Sequence, residues 1–147
     1  MVRHPRFDSN PRLRALFARC GLIGRYAVSE IVPAELLSSE TPVAFYGYAR
    51  AKEGTRHILM ERMLSLGDPS RAEPGILVYE IHHDASRPGS IAFYELYANG
   101  AAIREHLEKP YMKAFFADST TLLQSNLEII PLQPIRSVAA ISTDCPG

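Results

Sequence analysis

The 147-residue sequence contains no tryptophan, only two cysteines, no net charge and no long hydrophobic run. Cys20 and Cys145 stand near opposite ends, outside any CxxC pair or Cys/His cluster, so we expect free thiols and no metal site. Equal numbers of basic and acidic residues, 16 of each, argue against a nucleic-acid partner. No apolar stretch approaches the roughly 20 residues that span a bilayer, and the N-terminus lacks a secretory hydrophobic region. We therefore expect a cytoplasmic protein without a membrane partner.

The first 42 residues form an extension in this interpretation. Residues 1–25 hold six arginines and one acidic residue. Asn10, Pro11 and Gly21 suit the cap, first position and end of a short amphipathic helix. Such a helix commonly docks on its own domain or dimer mate, although an acidic partner, a membrane surface or a transit peptide are the alternatives. Residues 31–42 are typical of a connector.

Residues 43–135 read as one domain, followed by a tail at 136–147. Alternation and helical spacing predict strands at 43–50, 76–83, 90–97 and 126–132, and helices at 55–66 and from about 101. The order is the ferredoxin-like β-α-β-β-α-β arrangement, an α+β fold with an antiparallel sheet. Helices cover one sheet face, and the apolar residues of the other face predict a homodimer.

Four local features refine this fold prediction. Gly67-Asp68-Pro69 is expected to break the first helix of the domain. In the strand at 76–83, Leu77, Tyr79 and Ile81 are expected on one face. Pro110 either kinks its helix or begins a second segment, and Pro131 restricts the last strand to an edge or to the place where it leaves the sheet. His57, His82 and His83 are expected to be exposed.

Glu95 and His106 are the candidate catalytic residues. Alternation places Glu95 on the same strand face as Ile91, Phe93 and Tyr97, and a carboxylate in an apolar row needs a partner or a proton. Asn99 suits the cap of the next helix, on which spacing puts His106 in the buried stripe. The two side chains are therefore expected to approach one another, either as a catalytic pair or as a packing histidine that satisfies a buried glutamate.

The chain resembles the antibiotic biosynthesis monooxygenase family, small proteins of the dimeric α+β barrel type. The resemblance covers about 43–135. It rests on Glu73-Pro74-Gly75 with Tyr79, on Phe93-Tyr94-Glu95-Leu96-Tyr97, on Ala101-Ala102 with His106 eleven residues after Glu95, and on Pro110-Tyr111 with Phe115.

The resemblance implies cofactor-free oxidation of a small aromatic, quinol or polyketide-like substrate by O2. Removing a proton makes an electron-rich anion that can pass one electron to O2, so the protein needs a base and a dry cavity. His106 suits the base, with Glu95 orienting it or acting itself. Candidate substrate-binding residues are Tyr46, Tyr48, Tyr79, Tyr94 and Tyr97.

Other members of the family suggest other functions. The haem-degrading relatives use an Asn on the first strand and a Trp, which are missing here, so haem is not expected. An isomerase acting on a phosphorylated autoinducer sugar would need cations near the cavity, for which Arg50 and Arg104 are the candidates. A non-catalytic binding or stress-response module, in which His106 and Glu95 are structural, is the third hypothesis.

Overall fold

The computed structural model describes residues 32–135, which form a four-stranded antiparallel sheet with helices. The strands are β1 (Val43–Arg50), β2 (Ile76–His83), β3 (Ser90–Tyr97) and β4 (Glu128–Leu132), and the helices are α1 (Ala34–Leu37), α2 (Arg56–Ser65), α3 (Gly67–Arg71), α4 (Gly100–Glu108) and α5 (Pro110–Leu122). The predicted ferredoxin-like α+β fold is confirmed. The predicted N-terminal helix, both cysteines and the tail from residue 136 lie outside the described residues.

The strand order β2-β3-β1-β4 places β1 and β3 at the centre of the sheet. Phe45 of β1 and Tyr79 of β2 pair with Glu95 from either side, so the three side chains share the face that packs against the helices. The β4 strand, which contains Pro131, lies at an edge, as expected for a residue that cannot donate to a ladder. The core therefore lies between this sheet face and α2, α4 and α5.

The predicted alternation of β2 is wrong at its start. Ile76 pairs with Tyr97 and Val78 with Leu96, so Leu77 is an extra residue in a β-bulge. Leu77 is 54% exposed, whereas Tyr79 is buried. Because the bulge inserts one residue, Ile76 joins Tyr79 on the inner face in place of Leu77.

The helix boundaries also differ from the prediction in two places. The expected connector contains α1, and α3 follows α2 directly at Gly67. Pro69 is tolerated there because it occupies the first turn of α3, where an N–H has no partner within the helix. Pro110 begins α5 as a separate helix, which is one of the two arrangements that its position allowed.

Candidate functional site

A cavity opens between the sheet and the helices, and the empty space in and in front of it, open solvent included, is about 530 Å³. Most of its lining is aliphatic or aromatic, as is typical of small-molecule sites. Four of the side chains that line it can exchange protons or donate hydrogen bonds: Tyr79, Glu95, Tyr97 and His106. The structure thus brings both predicted catalytic residues and two of the predicted tyrosines to one space.

The other three predicted substrate-binding tyrosines do not line this cavity. Tyr46, Tyr48 and Tyr94 alternate with cavity-facing residues along β1 and β3, so they lie on the opposite sheet face. There the Tyr46 and Tyr48 hydroxyls share a hydrogen bond, and the Arg87 guanidinium lies 4.0 Å from the centre of the Tyr48 ring. The placement of these three at the cavity is therefore wrong, because strand alternation separates them from Tyr97.

His106 is held in the cavity wall by its helix and by aromatic rings. The Asn99 side chain accepts a hydrogen bond from the Ala102 N–H at 3.0 Å, which begins α4 and fixes the buried stripe. The imidazole is 1% exposed. Its ring centre lies 5.9 Å from that of Tyr79, 5.6 Å from that of Tyr97 and 6.0 Å from that of Tyr111.

Glu73 provides the hydrogen-bond partner of His106. Its Oε1 atom lies 2.9 Å from His106 Nδ1 and also accepts a hydrogen bond from the Tyr111 hydroxyl. Glu95 instead accepts a hydrogen bond from the Tyr97 hydroxyl at 2.8 Å. Both Glu95 and His106 face the cavity as predicted, but the carboxylate that bonds the imidazole comes from the turn before β2.

Gly75 explains how that turn comes close enough to α4. A Cβ atom at Gly75 would lie 2.5 Å from Ala102 Cβ, so a larger residue would force the turn and the helix apart. The Gly75 carbonyl also accepts a hydrogen bond from the Ala98 N–H at 2.9 Å, which ties the turn to the end of β3. Glu73 reaches an imidazole 33 positions away because of this close packing.

Burial shifts the acid–base properties of both cavity groups. It raises the pKa of Glu95 from 4.5 to about 7, against the opposing effect of the Tyr97 hydrogen bond. Burial also lowers the pKa of His106, and the hydrogen bond with Glu73 partly offsets this effect. Near neutral pH the cavity wall therefore contains an uncharged imidazole and a carboxyl group that can release or accept a proton.

The second imidazole nitrogen has no hydrogen-bond partner in the described part of the chain. His106 Nε2 is buried and makes no hydrogen bond within residues 32–135. If Glu73 accepts the proton of Nδ1, Nε2 carries the lone pair, since a neutral imidazole has one protonated nitrogen. A nitrogen with a free lone pair can accept a proton, and His106 is one of the residues that line the cavity.

Sequence reasoning did not assign Glu73 or Tyr111 to the site. Both residues stand in segments typical of the family, Glu73-Pro74-Gly75 and Pro110-Tyr111, but these were interpreted as a turn and a helix start. Their position in these family-typical segments was the sequence feature that could have assigned them to the site. The exposed positions of His82 and His83 and of His57 are as predicted.

Two further observations limit what the described part of the chain contains. Within residues 32–135, no group of three or more His, Cys, Asp or Glu side chains is arranged to hold a metal ion. In that same range, every helix is too short or too polar to cross a membrane.

The fold and the cavity define a small α+β protein with a glutamate and a histidine in the wall of an apolar pocket. The model of the family "Antibiotic biosynthesis monooxygenase" matches residues 42–118, and the chain belongs to this family. The match includes Glu73, Glu95, His106 and Tyr111.

Several bacterial proteins are similar to this chain. Rv0793 of Mycobacterium tuberculosis superimposes with a TM-score of 0.64 at 24% identity, over 67% of this chain and 100% of that one. PA3566 of Pseudomonas aeruginosa superimposes with a TM-score of 0.62 at 28% identity, over 65% of this chain and 96% of that one. The uncharacterized protein sll1783 of Synechocystis is 27% identical over 95 residues, and the chain spans 65% of its length, slightly less than two thirds. These likenesses support the fold.

Proposed function

We propose that this protein is a cofactor-independent monooxygenase that oxidises a small, uncharged aromatic, quinol or polyketide-like substrate with O2. The observation that carries the proposal is His106, which lines an apolar cavity with Nδ1 bonded to Glu73 and with Nε2 buried and without a hydrogen-bond partner in residues 32–135. This arrangement suits a general base, because the base must be uncharged at neutral pH and within reach of the substrate.

The reaction begins when His106 Nε2 takes an acidic proton from an anthrone-like or phenolic substrate. The resulting anion passes one electron to O2, and the substrate radical and superoxide combine to a peroxide that receives the proton back. Loss of the remaining C–H proton to a base, with cleavage of the O–O bond, gives a carbonyl and one molecule of water. Glu95, with a pKa of about 7, suits the second proton transfer.

The lining of the cavity supports an uncharged substrate. None of its lining residues within 32–135 is a lysine or an arginine. Arg50 pairs with Glu128 at 2.9 Å, and Arg104 donates to the Leu37 carbonyl. A phosphorylated sugar would need such cations, so these contacts favour oxygenation over the isomerase hypothesis.

Oxygen uptake by metal-stripped protein tests this function. A panel of hydroquinones, anthrones and polyphenols is compared between wild type, His106→Ala and the exposed control His83→Ala. We expect substrate-dependent uptake that falls by about 10²- to 10⁴-fold in His106→Ala, the usual contribution of a general base, and is unchanged in His83→Ala. Absence of uptake with every substrate, or equal rates in the two variants, would contradict the proposal.

A homodimer belongs to the same proposal. On the sheet face away from the cavity, Ile130 and Leu132 are 46% and 42% exposed, beside half-buried Tyr46 and Tyr94. A second copy of this face would cover them. Sedimentation of the full chain should give twice the mass of one chain. The Ile130→Glu substitution should lower the measured mass toward that of one chain.

A further inference from the structure

The contacts of His106 distinguish its two nitrogens. Nδ1 lies 2.9 Å from a carboxylate oxygen, whereas Nε2 has no hydrogen-bond partner in the described chain. An ionised carboxylate only accepts hydrogen bonds, so an ionised Glu73 would leave the shared proton on Nδ1. Glu73 is 11% exposed and His106 is 1% exposed, so water competes little for this bond.

We infer that Glu73 is a positioning residue that holds His106 in the Nδ1–H tautomer and so keeps Nε2 as the proton acceptor of the cavity. The inference rests on the proposed function, because it concerns how the same base is prepared. Glu73 acts through His106, as its own carboxylate is absent from the cavity lining. The orienting group of a base commonly fixes the tautomer in this way.

Tyr111 fixes the orientation of Glu73 in turn. Its hydroxyl donates to the same Oε1 atom that faces His106 and lies 3.5 Å from Nδ1. Burial, with a further contribution from Glu73, raises the pKa of Tyr111 to about 12, so the phenol retains its proton and serves as a donor. The carboxylate therefore holds one rotamer between two donors, from α4 and α5.

The charge of Glu73 also decides how readily His106 becomes an imidazolium. Burial lowers the pKa of His106, and Glu73 raises it through the hydrogen bond and its charge. Within residues 32–135, six titratable groups face the ring or share its cavity wall: Glu73 in the turn before β2, Tyr79 of β2, Glu95 and Tyr97 of β3, Lys109 after α4 and Tyr111 of α5. Of these, Glu73 alone bonds the imidazole through a carboxylate.

Nitrogen-15 NMR of the full chain, labelled at histidine, tests the inference directly. The sequence has five histidines, and His106→Ala assigns the signal of interest. In wild type above the pKa of His106, we expect a protonated Nδ1 and an unprotonated Nε2. In Glu73→Gln, whose amide can donate to Nδ1, we expect a shift toward the Nε2–H tautomer and a further fall in the His106 pKa. Glu80→Gln, an exposed carboxylate of β2, should change neither.

Two results would overturn the inference. One is an Nε2–H tautomer in wild type, which is measured without any variant. The other is an unchanged tautomer in folded Glu73→Gln. If Glu73→Gln fails to fold, Tyr111→Phe replaces it, and there the Nδ1–H tautomer should persist with a raised His106 pKa, because Glu73 no longer shares its oxygen. A lowered or unchanged pKa would count against the inference.

Kinetics separates this inference from the proposed function. With an oxidisable substrate, Glu73→Gln should lower kcat about tenfold or more and leave KM nearly unchanged, because Glu73 does not line the cavity. The pH profile should move with the pKa of His106. If wild type oxidises no substrate, the oxygenase proposal fails, while the NMR result still decides the role of Glu73.

Discussion

Replacing Glu95 with glutamine should change how the stability of this protein depends on pH. The carboxyl group faces an apolar cavity and accepts one hydrogen bond, from Tyr97. Glutamine has the same shape and can accept the same bond through its amide oxygen, but it cannot ionise. The comparison therefore isolates the free energy of charging this one group.

The magnitude follows from the pKa of Glu95. Burial raises it from 4.5 to about 7, and each pH unit between these values corresponds to about 1.4 kcal/mol, which gives roughly 3 kcal/mol in total. Between these values the native state binds more protons than the unfolded state, so the free energy of unfolding falls as pH rises. The contribution of Glu95 is fully present below pH 4.5 and is lost above about pH 7.

Urea denaturation of wild type and Glu95→Gln from pH 4 to pH 8 measures this difference. As pH rises across this range, we expect the free energy of unfolding of Glu95→Gln to increase by roughly 3 kcal/mol relative to that of wild type. The lowered pKa of His106 gives a dependence of opposite sign, but it is common to both proteins and cancels in the difference. Parallel curves of unfolding free energy against pH for the two proteins would refute the argument that burial raises the pKa of Glu95.

Two other changes test the cavity and the core. Tyr97→Phe removes the hydrogen bond that lowers the pKa of Glu95, so carbon-13 NMR of the carboxyl group should show a pKa above about 7, and a lower value would contradict the contact. Leu59→Ala should reduce the free energy of unfolding by about 2 to 5 kcal/mol because Leu59 is 0% exposed. The control is Leu64→Ala, since Leu64 is 57% exposed, and it should reduce the free energy of unfolding by less than about 0.5 kcal/mol. Equal losses for the two variants in urea denaturation would contradict this account of the core.

Strand alternation and helical spacing predicted which side chains of β3 and α4 lie on the cavity side. Alternation of side chains along β3 placed Phe93, Glu95 and Tyr97 on one face, and the spacing of α4 buried His106. The same rule failed at Leu77, because a β-bulge arises from pairing with β3 and leaves no mark in the period of the strand.

The partner of His106 could not be predicted from spacing. Glu73 is 33 residues away in sequence, and its contact depends on how closely the turn at Gly75 packs on α4. Glu95, only eleven residues away, was the nearer candidate but bonds Tyr97 instead. Sequence spacing predicts which residues are buried. It does not predict contacts that depend on how a helix packs in three dimensions.

The cavity is built from two kinds of segment. Glu95, His106 and most of the lining fall within residues 42–118, the part that matches the family, whereas Val32, Leu127 and Ile129 come from outside it. The residues proposed for proton transfer and the three flanking residues that shape the cavity therefore come from different segments of the chain. Substitutions at these three positions should therefore change the shape of the cavity without altering Glu95 or His106, the residues proposed for proton transfer.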